Sequence, residues 1–260
     1  MKMLIIAAAA MAGGAVLGFA LCWAATRLAG GNRKAAARLA KAAEKKMGTM
    51  DKVLILEAVV LILYTAADLA QLATDVNGGN NMSGKTVLLA NDIDLSGYPD
   101  WTPIGRFDPP DDMLPFSGVF DGQGYSITGL KISGNEDARG LFGYTYSGAI
   151  RNVVIRNPEI EGKDQVGALV GYQAYSNQGI KNCAVIGGKI QGRSHVGGLV
   201  GYMEESPIQN CYSTCEVVAM DFYAGGIVGD HRVVASIRNC YATGNISGTY
   251  SGGIVGVAQD

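Results

Sequence analysis

Short runs of alternating apolar and polar residues fill most of the chain, and the runs repeat. Five segments share a glycine pattern: GLFG at 140–143, GALVG at 167–171, GGLVG at 197–201, GGIVG at 225–229 and GGIVG at 252–256. Their last glycines are spaced 28, 30, 28 and 27 residues apart. A second column reads Ile150, Ile180, Ile208 and Ile237, followed two residues on by Asn152, Asn182, Asn210 and Asn239. A third reads Ile132, Ile160, Ile190, Val218 and Ile246. The variation in length falls between each closing glycine and the next isoleucine. Runs this short, bounded by Gly, Asn and Ser, are strands rather than helices. A strand unit that cannot bury its own face must stack on its neighbours. The pattern predicts an all-β fold, a right-handed parallel β-helix (solenoid) of about five coils with one repeat per coil.

Stacked coils turn equivalent residues into ladders. Val153, Cys183, Cys211 and Cys240 form one column, headed by Leu130. Free cysteines behave as small hydrophobes, so this column reads as interior packing with unpaired thiols. Cys215 stands outside it. The asparagine column predicts an amide ladder at a turn. Lys131, Glu159 and Lys189 predict an outward ladder of alternating charge.

Upstream of the repeats, YTAADLAQLATDVNGGNN at 64–81 carries a helical period. Thr65 is a candidate N-cap with Asp68 three residues on, the spacing of a capping box. Leu69, Leu72, Ala73 and Val76 share one face, and Asn77-Gly78-Gly79 supplies a stop. A solenoid must cover its first open edge, and this helix is placed to do so.

The amino-terminal part differs in kind. Met3–Ala25 is an uncharged run of 23 residues, long enough to span about 34 Å as a helix. It reads as a transmembrane anchor, with a cleaved signal segment as the alternative. Residues 32–47 are Ala-rich with spaced cations, a basic helical linker or membrane-surface stalk. Val53–Leu63 is short for a span, contains Glu57, and reads better as a core element. The organisation expected is an anchor or signal segment at 1–29, a basic linker at 30–52, a strand, capping helix and first-coil region at 53–115, and the repeat β-helix at 116–260. The basic flank after the anchor favours the cytoplasmic side, which leaves topology open. A membrane-anchored chain at the cell surface is expected, with secretion as the alternative.

Net charge is −2, but residues 53–260 carry twelve Lys/Arg against twenty-one Asp/Glu. That acidic body argues against nucleic acid as a partner. Glycine is high, 37 of 260, and concentrated in the repeats.

VLLANDIDLSG (87–97), WTPIG (101–105), FSGVFDGQGYSITGLKI (116–132) and the repeated GLFG/GGLVG blocks follow YTAADLAQLATDVNGG in order. This succession resembles the GLUG-repeat proteins, bacterial surface or secreted modules also found beside IgA-protease-type peptidases and in adhesin-like proteins. The resemblance covers about residues 60–256. It implies a β-solenoid and a surface or extracellular role, with no defined reaction. The chain stops just past the fifth glycine block, which suggests a fragment or an end that pairs with another coil.

Catalysis has little support in the pattern. FDGQG resembles the early coils of pectate-lyase-like β-helices, but glycoside hydrolysis needs two carboxyls about 5–9.5 Å apart. Glu204 and Asp230 fall at different offsets from their glycines. Asp230-His231 is an acid–His pair without a nucleophile column. The expectation is no enzyme, with a polysaccharide hydrolase or lyase as the alternative, and a structural spacer as a third reading. No cofactor is expected; Asp92/Asp94 and Asp108, Asp111 and Asp112 are the places where oxygen ligands could gather for calcium. Tyr144, Tyr172 and Tyr202 each follow a closing glycine. Facing outward they form an aromatic stripe for glycan or cell-surface protein; facing inward they are core. Tyr144, Tyr172, Tyr202, Asp230 and His231 are the candidate ligand-binding residues.

Overall fold

The β-branched and aromatic positions that alternate in the sequence pair in register from coil to coil. The computed structural model describes residues 5–7, 59–110, 112–233 and 236–259. From the fourth turn onward the chain visits five short strands in each coil. In the fourth turn they are Ala149–Arg151, Val154–Arg156, Glu159–Glu161, Asp164–Gly167 and Val170–Ala174. Each strand hydrogen-bonds in parallel to its equivalents above and below, so the coils make five parallel stacks. The first stack contains seven parallel strands: Val59–Leu63, Thr86–Leu89, Val119–Asp121, Ala149–Arg151, Ile180–Lys181, Ile208–Gln209 and Ile237–Arg238. The solenoid therefore has about seven turns rather than the five expected. The two extra turns precede the first GLFG block and carry no glycine block of their own.

One core runs the length of the solenoid. Phe120, Ile150, Ile180 and Ile208 form one inner column, and Phe142, Val170, Val200 and Val228 another. All eight are fully buried. The Ile132–Ile160–Ile190 column continues through Val217 to Ile246. Val217 is buried and Val218 is not, which shifts the expected register there by one residue. Such a slip exchanges inner for outer faces.

The helix Ala66–Asn77 replaces most of the first turn. Thr65 caps it with the expected box: Asp68 N–H donates to Thr65 Oγ1 at 3.2 Å, and Thr65 N–H donates to Asp68 Oδ2 at 3.1 Å. Leu69, Leu72, Ala73 and Val76 are buried in the same cluster as Val87, Leu89 and Ile93, so the helix closes the first end of the core.

The amide ladder forms as expected. Asn182, Asn210 and Asn239 each donate Nδ2–H to the Oδ1 of the asparagine one coil before, at 3.0, 3.1 and 3.1 Å. Asn152 donates to Asp121 Oδ1 at 2.9 Å, and Arg151 pairs with the other oxygen at 2.9 Å. All four asparagines are left-handed, with φ of 53–55°, a conformation asparagine tolerates better than most residues. The charge column forms and extends one coil further, as two separate ion pairs: Lys131 with Glu159 at 3.1 Å and Lys189 with Glu216 at 3.7 Å.

Cys183, Cys211, Cys215 and Cys240 are free. The Cys183, Cys211 and Cys240 thiols reach carbonyls two residues back at 3.2 Å each. The contact with Cys183 pushes the Cys211 thiol up to about 12, and burial raises that of Cys215. These are packing groups held as thiols. Leu130 does not head this column. Lys131 pairs with Glu159, and Glu159 N–H donates to the Leu130 carbonyl, which puts Leu130 with Pro158 and Gly188, the column that leads to Cys215.

Of the apolar run expected as an anchor, only Ile5–Ala7 is described. It forms a strand antiparallel to Val59–Leu63. The rest of that run, the basic linker and Cys22 lie outside the described residues. Among the described residues no helix is long and apolar enough to cross a membrane.

The closing glycines explain the repeat. A Cβ on Gly171, Gly201 or Gly229 would lie 2.4, 2.3 or 2.4 Å from the backbone of Ala138, Gln165 or His195, one coil earlier. Backbone meets backbone there, and no side chain fits. Gly253 has nothing within 4 Å of such a Cβ. Gly201→Ala is therefore expected to cost about 1–3 kcal/mol or more through overpacking, while Gly253→Ala stays within about 0.5 kcal/mol. Chemical denaturation of the two variants measures the difference.

Candidate functional site on the outer aromatic face

The motif glycines place the side chains that follow them. In the third to sixth turns the fifth strand starts from a buried Val or Phe, passes the closing glycine, and turns the next residue outward. Tyr144, Tyr172, Tyr202 and Asp230 stand in one register column on this face. The tyrosines are outside the core cluster, while the residues after them, Thr145, Gln173 and Met203, are fully buried. The stripe thus faces outward.

It is not bare. Arg106–Asp108 and Asp112–Leu114 form an antiparallel hairpin that projects Phe107 over its head. Phe107 lies 5.1 Å from the Tyr144 ring and 4.7 Å from Tyr172. Tyr144 and Tyr172 are 5.2 Å apart, and Tyr172 and Tyr202 are 4.9 Å apart. Tyr144 is left only 7% exposed, and burial pushes its phenol up to about 12. Burial, then the hydrogen bond to Glu204, raises Tyr172 too. Beside the stripe, the pair Tyr146 and Tyr175 is open to solvent, 43% and 41% exposed with rings 5.5 Å apart.

Glu204 ties these rings together. Tyr172 donates its hydroxyl to Glu204 Oε2 at 2.7 Å, and Tyr175 donates to Oε1 at 3.0 Å. That second bond raises the Tyr175 phenol.

Asp230 takes the tyrosine position in the next coil and is fully buried. Arg232 donates from Nε to Oδ1 and Oδ2 at 2.9 and 3.0 Å and from Nη2 to Oδ2 at 2.9 Å. His195 Nε2 lies 3.3 Å from Asp230 Oδ2. The backbone of Gly229 presses on that of His195, which is why the two side chains meet. His195 also packs on Tyr202 and Tyr223, at 5.9 and 5.3 Å between centroids, and Tyr223 leads on to Tyr250 at 5.6 Å.

His231 is not the partner of Asp230. It pairs in register with Met203, in the inward column, and its buried Nε2 has no hydrogen-bond partner. Strand alternation sends neighbours in sequence to opposite faces. The His that serves Asp230 comes from another strand of the preceding coil. Sequence spacing gave no signal for it, and none for Phe107. Asp92 accepts from Ser126 N–H and Oγ–H of the next coil at 2.7 and 3.0 Å, and Asp94 holds a turn by accepting from Ser96 N–H at 2.9 Å. Asp108 and Asp112 lie in the hairpin, and Asp111 is outside the described residues. Among the described residues no three His, Cys, Asp or Glu side chains gather as a metal centre.

Residues 221–247 match the family model of the GLUG motif. Over 96 residues, 33% of this chain, the sequence is 38% identical to halomucin of Haloquadratum walsbyi, of which the match covers 1%. The fold is similar to the crystal structure of a candidate immunoglobulin A1 protease from Bacteroides ovatus, with a TM-score of 0.63 and 27% identity over 77% of this chain and 62% of that one. The chain thus spans less than two thirds of either relative.

Burial lowers the affinity of His195 for a proton, outweighing the pull of Asp230 and Asp164. His231 is lowered for the same reason. A depressed His favours the neutral form in the folded state, so its contribution is complete above the ordinary His value and fades as pH falls below it. The melting temperature is expected to drop by a few degrees from pH 7 to pH 5. His195→Gln is expected to flatten that slope, as read by thermal melts across the range.

Proposed function

We propose that this GLUG-repeat solenoid is a non-catalytic binding module that works at a cell surface, in adhesion or in holding a glycan or protein ligand. One observation carries the reading: an outward aromatic face in which half-buried Tyr172 and Tyr202 and the exposed pair Tyr146 and Tyr175 stand with Glu204 among them. Aromatic bodies with polar tips suit both sugars and proteins. The carboxylates are engaged in ways that suit binding better than hydrolysis. Asp230 is held by three hydrogen bonds from Arg232 with His195 beside it, and each Glu204 oxygen accepts one phenol. The similarity to halomucin supports a surface setting, and the likeness to the B. ovatus protein supports the scaffold. An anchoring role for Met3–Ala25 rests on the sequence alone, and the strand at Ile5–Ala7 does not favour it.

The test displays the full chain on beads against panels of glycans and cell-surface proteins. Tyr172→Ser combined with Tyr202→Ser is expected to weaken the strongest interaction by about fivefold or more, the loss of central aromatic contacts. Far-ultraviolet circular dichroism checks that the fold persists. Retention unchanged by the double substitution would remove the outer face from the account.

A further inference from the structure

The outer face brings rings and a carboxylate together at two places. In the later coil, a ring, a carboxylate and a cation come together. Arg232 bonds both oxygens of Asp230, and its guanidinium carbon lies 5.8 Å from the centre of the Tyr202 ring. One coil earlier, Glu204 sits against Tyr172 and Tyr175, with Tyr146 beside them. The two places are not register equivalents: Asp230 stands in the tyrosine column, whereas Glu204 stands in the column of Arg232, one coil before it, and Arg232 is taken up by Asp230. Among the described residues no Lys, Arg or His pairs with Glu204.

We infer that Glu204, Tyr146, Tyr172 and Tyr175 form a recognition site for a primary ammonium group, presented by a lysine side chain of a basic partner protein. The inference rests on the outer face being the binding surface. A cation over an aromatic ring is favoured by the ring quadrupole, and the exposed faces of Tyr146 and Tyr175 offer that contact. Each Glu204 oxygen already accepts one phenol. A compact ammonium, which needs a single lone pair, is therefore served better than a planar guanidinium that wants both oxygens of one edge. The excess of acidic residues over 53–260 draws a basic protein toward the face.

The experiment is calorimetric titration of the full chain at low salt with a tetralysine peptide and with the same peptide acetylated on its side chains. The lysine peptide is expected to bind and the acetylated one not. Glu204→Gln should weaken binding by about tenfold, the loss of a charge-assisted contact. Tyr146→Ala should weaken it roughly two- to fivefold. Glu205→Gln, an exposed neighbour, should leave it unchanged. Tyr146→Ala alters only an exposed ring and keeps the test alive if Glu204→Gln lowers the melting temperature. Equal binding of both peptides, or affinity indifferent to Glu204→Gln and Tyr146→Ala, overturns the site. Tighter capture of a chitosan oligomer than of the peptide overturns its assignment to a protein partner. Loss of the ammonium site while the bead panel still depends on Tyr172 and Tyr202 would sink this inference and spare the binding reading.

Discussion

The structure depends on one approach between backbones. Early in the fifth strand, each coil from the third onward lays its closing glycine against the main chain of the coil before, leaving no space for a methyl group. A hydrogen-bond ladder alone tolerates slippage, and apolar columns alone tolerate a shift to another coil. The glycine contact tolerates neither. It fixes the height, the register and the turning angle at one point per coil, and the variable connection that follows absorbs length differences without disturbing the stack.

Function is separable from that scaffold because outward residues do no packing in the core. Along one register column the same seat holds Tyr144, Tyr172, Tyr202 and then Asp230. The neighbouring column holds Tyr146, Ala174, Glu204 and Arg232. The two columns together write a changing surface on an unchanging frame. The resulting pairs cross coils: Tyr172 bonds Glu204 of the next coil, and His195 meets Asp230 likewise. Their geometry is inherited from the stack, so a rigid site is obtained from short strands.

Much of this was legible in the sequence. The glycine blocks announced the solenoid, Thr65 and Asp68 announced the capping helix, and the asparagine column announced its ladder. What escaped has physical causes. The first two turns lack glycine blocks, because a helix and a hairpin replace their strands, so counting blocks undercounts turns. Val217 escapes its column because the interval from the asparagine shortens by one there, and the interval to the closing glycine grows by one. Leu130 was matched by its apolar character rather than by its neighbours. His195 and Phe107 reach the site through stacking and through an inserted hairpin, neither of which has a period. His231 looked like a partner for Asp230 because adjacency in sequence is the opposite of adjacency on a strand face.

A frame in which each coil touches only its neighbours has a mechanical character. Tension applied along the axis does not shear all coils together. It opens the terminal one, where a single set of short ladders resists, and then the next. Each coil released adds on the order of 90 Å of extended chain. The molecule would yield as a ratchet of similar small ruptures, lengthening under tension while the remaining coils stay folded.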